Sequence, residues 1–188
     1  LHGLLESLDP LSSYLSPREY TEYKQKVQNG SQGEVGISLS KRFGYIIVVA
    51  VLPDSPAQRA GLRPGDILEA ISGFTTREMS VGQAQILLAG DAGSGVKVSV
   101  VRRGRSETQE MDLVRAQVSM PKVTAEKVEP EVGYLRLVTL EAGKANEVRE
   151  KLAQFEKQGI QKLVLDLRDN AKGDPNEAVS VARLFLTA

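Results

Sequence analysis

Apolar and polar positions alternate at Val35, Ile37 and Leu39, the two-residue repeat of a strand with one buried face. Tyr45 to Ala50 is almost wholly apolar and β-branched, which suits a strand inside a sheet, and the polar stretch Lys41 to Gly44 reads as the turn between the two. Ser55-Pro56-Ala57-Gln58 has the order of a helix start: a hydroxyl for the first-turn amides, a proline where no amide is needed, and a side-chain amide that can reach back. Gly61 closes this short helix and Pro64-Gly65 suits a type II turn. Asp66 to Ile71 is the next strand, and Ser80 caps a helix that ends at Leu88, before Gly90. Val96, Val98 and Val100 alternate, Arg102 to Arg105 turns, and Thr108 to Val114 returns as the partner strand. Roughly five strands and two helices therefore make residues 31–116 a small, independently folding β-barrel.

The flanks follow another pattern. Leu4, Leu5 and Leu8 form a short apolar segment ended by Asp9-Pro10. Ser16-Pro17-Arg18-Glu19 opens a helix expected to run to about Gln28, with Tyr20, Tyr23 and Val27 on one side. We read it as a structural helix against a neighbouring domain, with a lid as the alternative. Arg115 to Pro130 reads as a linker or crossover, jointed at Pro121 and Pro130. Beyond it come a strand (Val132 to Val138), a helix (Lys144 to Gln158, apolar at Ala145, Val148, Leu152 and Phe155) and a short buried strand (Leu163 to Leu167). A last helix is capped by Asp174 and carries Ala178, Val181, Ala182 and Phe185 on its apolar face. A strand, a crossover helix and a second strand imply a parallel pair. The ligand side of such a sheet lies past the strand's carboxyl end, at Arg168 to Asp174.

Composition removes several kinds of chemistry. Lys plus Arg and Asp plus Glu number 24 each, so no global field gathers nucleic acid or an anionic membrane. Arg102, Arg103 and Arg105 surround one glycine and read as a solvated hairpin tip rather than a phosphate-binding surface. No window approaches ~18 consecutive apolar residues, so no membrane span is expected. There is no cysteine, which excludes thiol nucleophiles and disulfides, and the single histidine, His2, is a poor start for a Ser-His-Asp triad or a metal site. No cofactor is expected. A chain that begins at Leu1 and ends on an apolar run has the look of a piece of a longer protein.

One stretch invites a ligand. Gly33-Glu34-Val35-Gly36-Ile37 turns into a strand that stays at a sheet edge, which can leave successive amides facing a groove. Such a nest holds a carboxylate, and a peptide can pair along the edge. Val81, Gln85 and Leu88 would form the opposite wall. The same glycines also suit an ordinary hairpin turn, and no P-loop is present because no G-K-[ST] follows.

The segments GEVGISLS, LPDSPAQRAGLRPGDILEAISG and SVGQAQILLAG resemble a PDZ domain in the permuted order of bacterial and plastid proteases. LDPLSSYLSPREY before them, with VGYLRLVTL and GIQKLVLDLRDNAKGDPNEAVSVARLFL after, extends the resemblance over essentially the whole chain. It is to the carboxyl-terminal processing (tail-specific) protease family, the S41-type serine peptidases. The resemblance implies an α+β fold: an N-terminal helical segment of the protease core (1–30), a permuted PDZ barrel (31–116) and the first β-α-β-α part of the α/β core (117–188). It also implies that the amides of Val35, Gly36 and Ile37 receive a substrate's terminal carboxylate. Ile37, Leu39, Val81, Gln85 and Leu88 would line the pocket for an apolar last residue, while Glu34 stands where a small residue is common.

The family cleaves with a Ser-Lys dyad, in which a neutral lysine takes the serine's proton. Both dyad residues are expected beyond Ala188. Ser180 is not a candidate nucleophile. The family's Arg-x-Asn-x-Gly-Gly turn, close to the oxyanion, is matched by Arg168, Asn170 and Gly173, with Ala171 and Lys172 as departures. A Cβ at Lys172, if that position needs positive φ, would cost about 1 kcal/mol. The implied function is the N-terminal part of an exported, periplasmic-type endopeptidase that binds the C-terminal segments of protein substrates. The alternative is a non-catalytic PDZ scaffold or a degenerate homologue. On this reading the 188-residue chain alone is inactive, and the apolar side of Val181 to Leu186 is exposed and favours self-association. An aspartic pair at Asp166 and Asp169 is disfavoured by their three-residue spacing on an extended chain.

Overall fold

The computed structural model describes residues 15–28, 33–77, 79–102, 104 and 107–186. The fold is α+β, and the chain divides into two compact units between Ser119 and Met120.

In the first unit β1 (Ile37–Arg42), β2 (Tyr45–Val51), β3 (Ile67–Ile71), β5 (Gly95–Val101) and β6 (Thr108–Val114) lie side by side in that order, and the two-residue β4 (Phe74–Thr75) pairs with β3. Every pairing is antiparallel. The inward residues Ile46, Val48, Leu68, Ile71, Val96, Val98, Val100 and Leu113 form the core with Ala84 and Leu88 of α3 (Val81–Leu88). The two ends of the sheet are joined by Glu34 and Ala116, which exchange backbone hydrogen bonds of 2.9 and 3.0 Å. The sheet is bridged there at one point, and the edge of β1 itself stays unpaired. Ile37 and Leu39 pack on the core, but burial along β1 is even rather than alternating, and Gly36 at φ +77° separates buried Val35 from the strand.

The helix starts form as read. Ser55 Oγ accepts from the Gln58 amide ahead of α2 (Pro56–Arg59), and Ser80 and Gln83 make a reciprocal capping box on α3. Arg63 and Asp66 close the turn at Pro64-Gly65, with φ +91° at Gly65. The preceding helix, α1 (Pro17–Gln28), lies against α3, while the apolar segment at Leu4 to Leu8 falls outside the described residues.

Two basic residues depart from expectation. Arg102 is not a solvated tip: its guanidinium forms two 2.7 Å hydrogen bonds to Asp66 and one of 3.0 Å to the Gly61 carbonyl. The Asp66 side chain is only 2% exposed. Burial raises its pKa, but the hydrogen bonds from Arg102 and the Arg63 amide outweigh this and hold the carboxyl below its ordinary value. Arg103 and Arg105 lie outside the described residues. Arg115, expected to begin a linker, instead donates to the carbonyls of Leu87 and Leu88 at 2.8 and 2.9 Å. It thereby satisfies the last carbonyls of α3 with a charge that suits a helix C-terminus.

The second unit contains β7 (Thr124–Glu129), β8 (Val132–Arg136), α4 (Lys144–Lys157), β9 (Lys162–Asp166) and α5 (Pro175–Ala182). The parallel β8–β9 pair forms with its crossover helix, as expected. The linker reading of Arg115 to Pro130 is corrected in part: Thr124–Glu129 is an edge strand in an antiparallel hairpin with β8. Its residues are mostly exposed, so it lacks the burial contrast that marks a strand in sequence. Leu135, Leu137, Val148, Phe155 and Val181 form this core. Phe155 lies flat on β8, where a Cβ at Gly133 would come within 2.8 Å of its ring. Gly143 gives no side-chain cap to α4, and the Glu177 carboxylate supplies one by accepting from the Ala145 amide at 2.7 Å.

On α5, Val181 and Leu184 face the core, whereas Ala182 and Phe185 are exposed, so the inward face is rotated from the expected one. Val181 is thus buried, and the exposed part of the final apolar run is Phe185 and Leu186.

Candidate functional site

β1 ends the strand order, so its outer edge has no partner in the sheet, and α3 lies against it. These are the two elements expected to wall a peptide groove. Ile37, Leu39 and Val81 are half-buried and pack on the core, Gln85 is exposed at the rim, and Leu88 is buried and offers little surface.

The head of the groove is the turn Val35-Gly36-Ile37. Its carbonyls are tied inward: Ala57 N–H donates to Val35 O at 3.0 Å and Leu52 N–H to Gly36 O at 2.9 Å. The Gly36 amide does not return a bond to Leu52, because φ +77° turns it away. Among the described residues neither the Val35 nor the Gly36 amide meets an acceptor. Ile37 pairs with Val51 at a position where the flanking residues carry the ladder bonds, so its own amide points to the free edge. Three consecutive N–H groups are therefore without an acceptor among the described residues, which is what an anion nest requires. Only glycine fits at position 36, since a Cβ would lie 2.3 Å from Ser55 Cβ. Sequence reasoning treated Ser55 solely as a helix cap and missed this second role. Glu34, which stands where a small residue is common, is held by the backbone pair with Ala116 and is half-buried.

The second candidate, the turn after β9, is built around Asp166. Arg168 gives it three hydrogen bonds, from the amide (2.9 Å), Nε (2.9 Å) and Nη2 (2.7 Å), and the Tyr134 hydroxyl gives a fourth. Arg168 and Tyr134, in that order, hold the Asp166 carboxyl well below the usual carboxylate range, and the same contacts push both Arg168 and Tyr134 up. Arg136 bonds Asp169 at 3.3 Å and lies 4.0 Å from the Asp166 carboxylate, so one cation stands between the two aspartates. Asn170 Nδ2 donates to Leu137 O at 2.9 Å, fastening the turn to the end of β8.

Gly173 bridges to Leu140 with φ +154°, and a Cβ there would lie 2.5 Å from Leu140 backbone atoms. The expectation about Lys172 is corrected. The left-handed residues of this turn are Asp169 (φ +63°) and Gly173, not Lys172, so its Cβ is unstrained. Its ammonium pairs with Glu141 at 3.3 Å, beside an open depression lined also by Ala142, Asp174 and Pro175. Ser180 Oγ donates to the Asn176 carbonyl within α5, as a structural hydroxyl does. Among the described residues no group of His, Cys, Asp and Glu is arranged to hold a metal ion.

The comparisons with known proteins bear on both places. The model of the PDZ domain matches residues 47–102, and that of peptidase family S41 matches residues 131–188. The carboxyl-terminal-processing protease of Synechocystis sp. is 32% identical over 99% of this chain and 45% of that protein. The chloroplastic carboxyl-terminal-processing peptidase 2 of Arabidopsis thaliana is 30% identical over 95% of this chain and 37% of its own length. The solved photosystem II D1 C-terminal processing protease superposes with a TM-score of 0.86 over 98% of this chain and 52% of that one, at 28% identity.

Along nearly its whole length the chain is similar to carboxyl-terminal processing peptidases, and residues 131–188 match family S41. It spans under half the length of the curated relatives just named. Within the S41 match lie β8, α4, β9, the Arg168–Gly173 turn and α5; the PDZ match runs from β2 to the end of β5. Val35 and β1 precede the PDZ match in sequence, yet pack on the core that the matched strands build.

Proposed function

We propose that this chain is the amino-terminal, substrate-recognising part of a serine endopeptidase that binds a protein's free C-terminus and cleaves nearby. The amides of Val35, Gly36 and Ile37 receive the terminal carboxylate, the preceding residues add as a strand to β1, and Ile37, Leu39, Val81, Gln85 and Leu88 set an apolar preference. In this reading residues 31–116 are a PDZ domain permuted so that its carboxylate-binding strand leads. Residues 117–188 begin the α/β protease core, and 1–30 are its helical preface. Ser-Lys chemistry is supplied by residues after Ala188, in an exported, periplasmic-type location.

The observation that supports the reading is the row of amides without acceptors, among the described residues, at the head of an unpaired strand edge. An amide nest needs a negative partner, so blocking the carboxylate removes the interaction it is built for. Calorimetry with a peptide ending in an apolar residue tests this: the free acid should bind and the C-terminal amide should not. Equal affinity of the two forms would contradict it. On the same reading the 188-residue chain alone hydrolyses no peptide.

The second reading, a binding scaffold without catalysis, draws on the Arg168–Gly173 turn. There Lys172, paired with Glu141, occupies a place the family gives to glycine. Activity of the full-length protein on an unstructured substrate with an apolar C-terminus separates the two.

A further inference from the structure

Two tight turns at one end of the first unit's sheet send aromatic side chains into solvent. Phe43-Gly44 joins β1 to β2 and Ser72-Gly73 joins β3 to β4, with φ of +52°, +78°, +51° and +82°, as type I′ turns require. β1 and β3 both run antiparallel to β2, so both chains turn at the end where β2 begins. Phe43 is 97% exposed, Phe74 62% and Tyr45 42%. The first central position of such a turn favours Asn, Asp or Gly. A phenyl group at Phe43 is strained and gains no burial from the fold, so the fold does not account for it. The surroundings are basic. Arg42 is exposed beside Phe43, and the Arg77 guanidinium lies 5.9 Å from the centre of the Tyr45 ring. Glu69, which the register sets one step beyond the Ile46–Leu68 pair and thus near Tyr45, accepts from the Thr108 hydroxyl at 2.8 Å.

We propose that this end of the first unit docks on an anionic lipid surface, Phe43 and Phe74 entering the headgroup layer while Arg42 and Arg77 meet the phosphates. Projecting turn tips offer little flat area, and a folded partner would need a separate pocket for each ring. A fluid interface closes around a projecting ring, and it rewards aromatic groups flanked by cations. Docking of this kind needs no spanning segment, and no described helix is long and apolar enough to cross a membrane. One consequence rests on the peptide reading above. A strand added antiparallel to β1, with its carboxylate at Val35 to Ile37, leaves the groove at Arg42 and Phe43. The docked end then faces the incoming substrate, which suits a protein tail emerging from a bilayer.

The test is co-sedimentation of the full-length protein with vesicles of phosphatidylglycerol and phosphatidylcholine, compared with phosphatidylcholine alone. Peptide is omitted, so the result is independent of the groove. Phe43→Asn suits the turn better than phenylalanine does, and it should raise thermal stability while lowering partition. Phe43→Asn with Phe74→Ser should lower partition by about tenfold or more. Arg42→Gln should lower it by roughly fivefold, on the anionic vesicles only. Partition that is absent, or that is unchanged in all three variants, overturns the proposal. If the variants instead abolish concentration-dependent self-association in sedimentation while vesicle partition stays the same, the surface serves a second copy of the chain and the lipid proposal is wrong.

Discussion

The turn at Val35–Ile37 and the turn at Arg168–Gly173 are both short connections at strand ends, and they use their polar groups in opposite ways. In the first, the carbonyls of Val35 and Gly36 are satisfied from within, and their amides have no acceptor among the described residues. In the second, Asp166, Arg168, Asn170 and Lys172 are all engaged by neighbours in the same unit. A polar group that already has a partner has little to gain from a ligand, whereas an unpaired amide gains a hydrogen bond and an electrostatic contact. On the proposed function the first turn is the one that meets an anion, while the polar groups of the second are already occupied.

The largest expected effect comes from filling the space at Gly36. Gly36→Val puts a Cβ 2.3 Å from Ser55 Cβ at φ +77°. It should cost about 2 to 4 kcal/mol of stability and abolish peptide binding. A thermal melt paired with calorimetry checks this, and a variant that still binds would break the contrast between the turns.

Next is the buried pair beneath the first unit. Arg102→Ala leaves Asp66 buried without its cation and should destabilise by roughly 3 kcal/mol. In this variant a urea midpoint within error of the wild type would refute the pairing.

The second turn is probed by pH. The folded Asp166 carboxyl lies below its ordinary value of 3.8, so its stabilising contribution is complete above that pH and is lost as pH falls through the lowered folded value. Tyr134, raised from 10.0 when folded, contributes below pH 10 and loses that contribution as pH rises through its folded value. Asp166→Asn should destabilise the second unit at pH 7 and flatten the acid limb of its stability profile, without changing peptide affinity. Loss of peptide binding in this variant would mean the two turns are not independent.

The smallest effect is at Lys172. Because its backbone is unstrained, Lys172→Gly should leave stability the same or lower by up to about 1 kcal/mol. If the full-length protein is the proposed peptidase and the side chain crowds the reacting bond, kcat should rise while KM stays; unchanged kinetics would place Lys172 outside the site.

Local chemistry was legible where one residue makes its own structure. The caps at Ser55, Ser80 and Asp174, the turn at Pro64-Gly65 and the alternation at Val96 to Val100 all formed as read. Partners distant in sequence were not legible. Arg102 looked like a solvated tip because Asp66 lies 36 positions away, and Arg115 looked like a linker residue because the carbonyls it serves lie 27 and 28 positions back. Thr124–Glu129 was missed because an edge strand with charged, exposed faces carries no apolar period. The residues of the groove were readable as a pattern, but the reason Gly36 must be glycine lies in Ser55, which only the fold brings near.

The central claim is that three amides at the head of β1 receive a carboxylate, and the most direct measurement is a two-dimensional 15N–1H NMR titration with a peptide ending in an apolar residue. The account predicts large downfield shifts at the Val35, Gly36 and Ile37 amides with the free acid, shifts along β1, and none at the three amides with the C-terminally amidated peptide. Shifts that are the same for both peptides, or that gather at Arg168 to Gly173 instead, would contradict it.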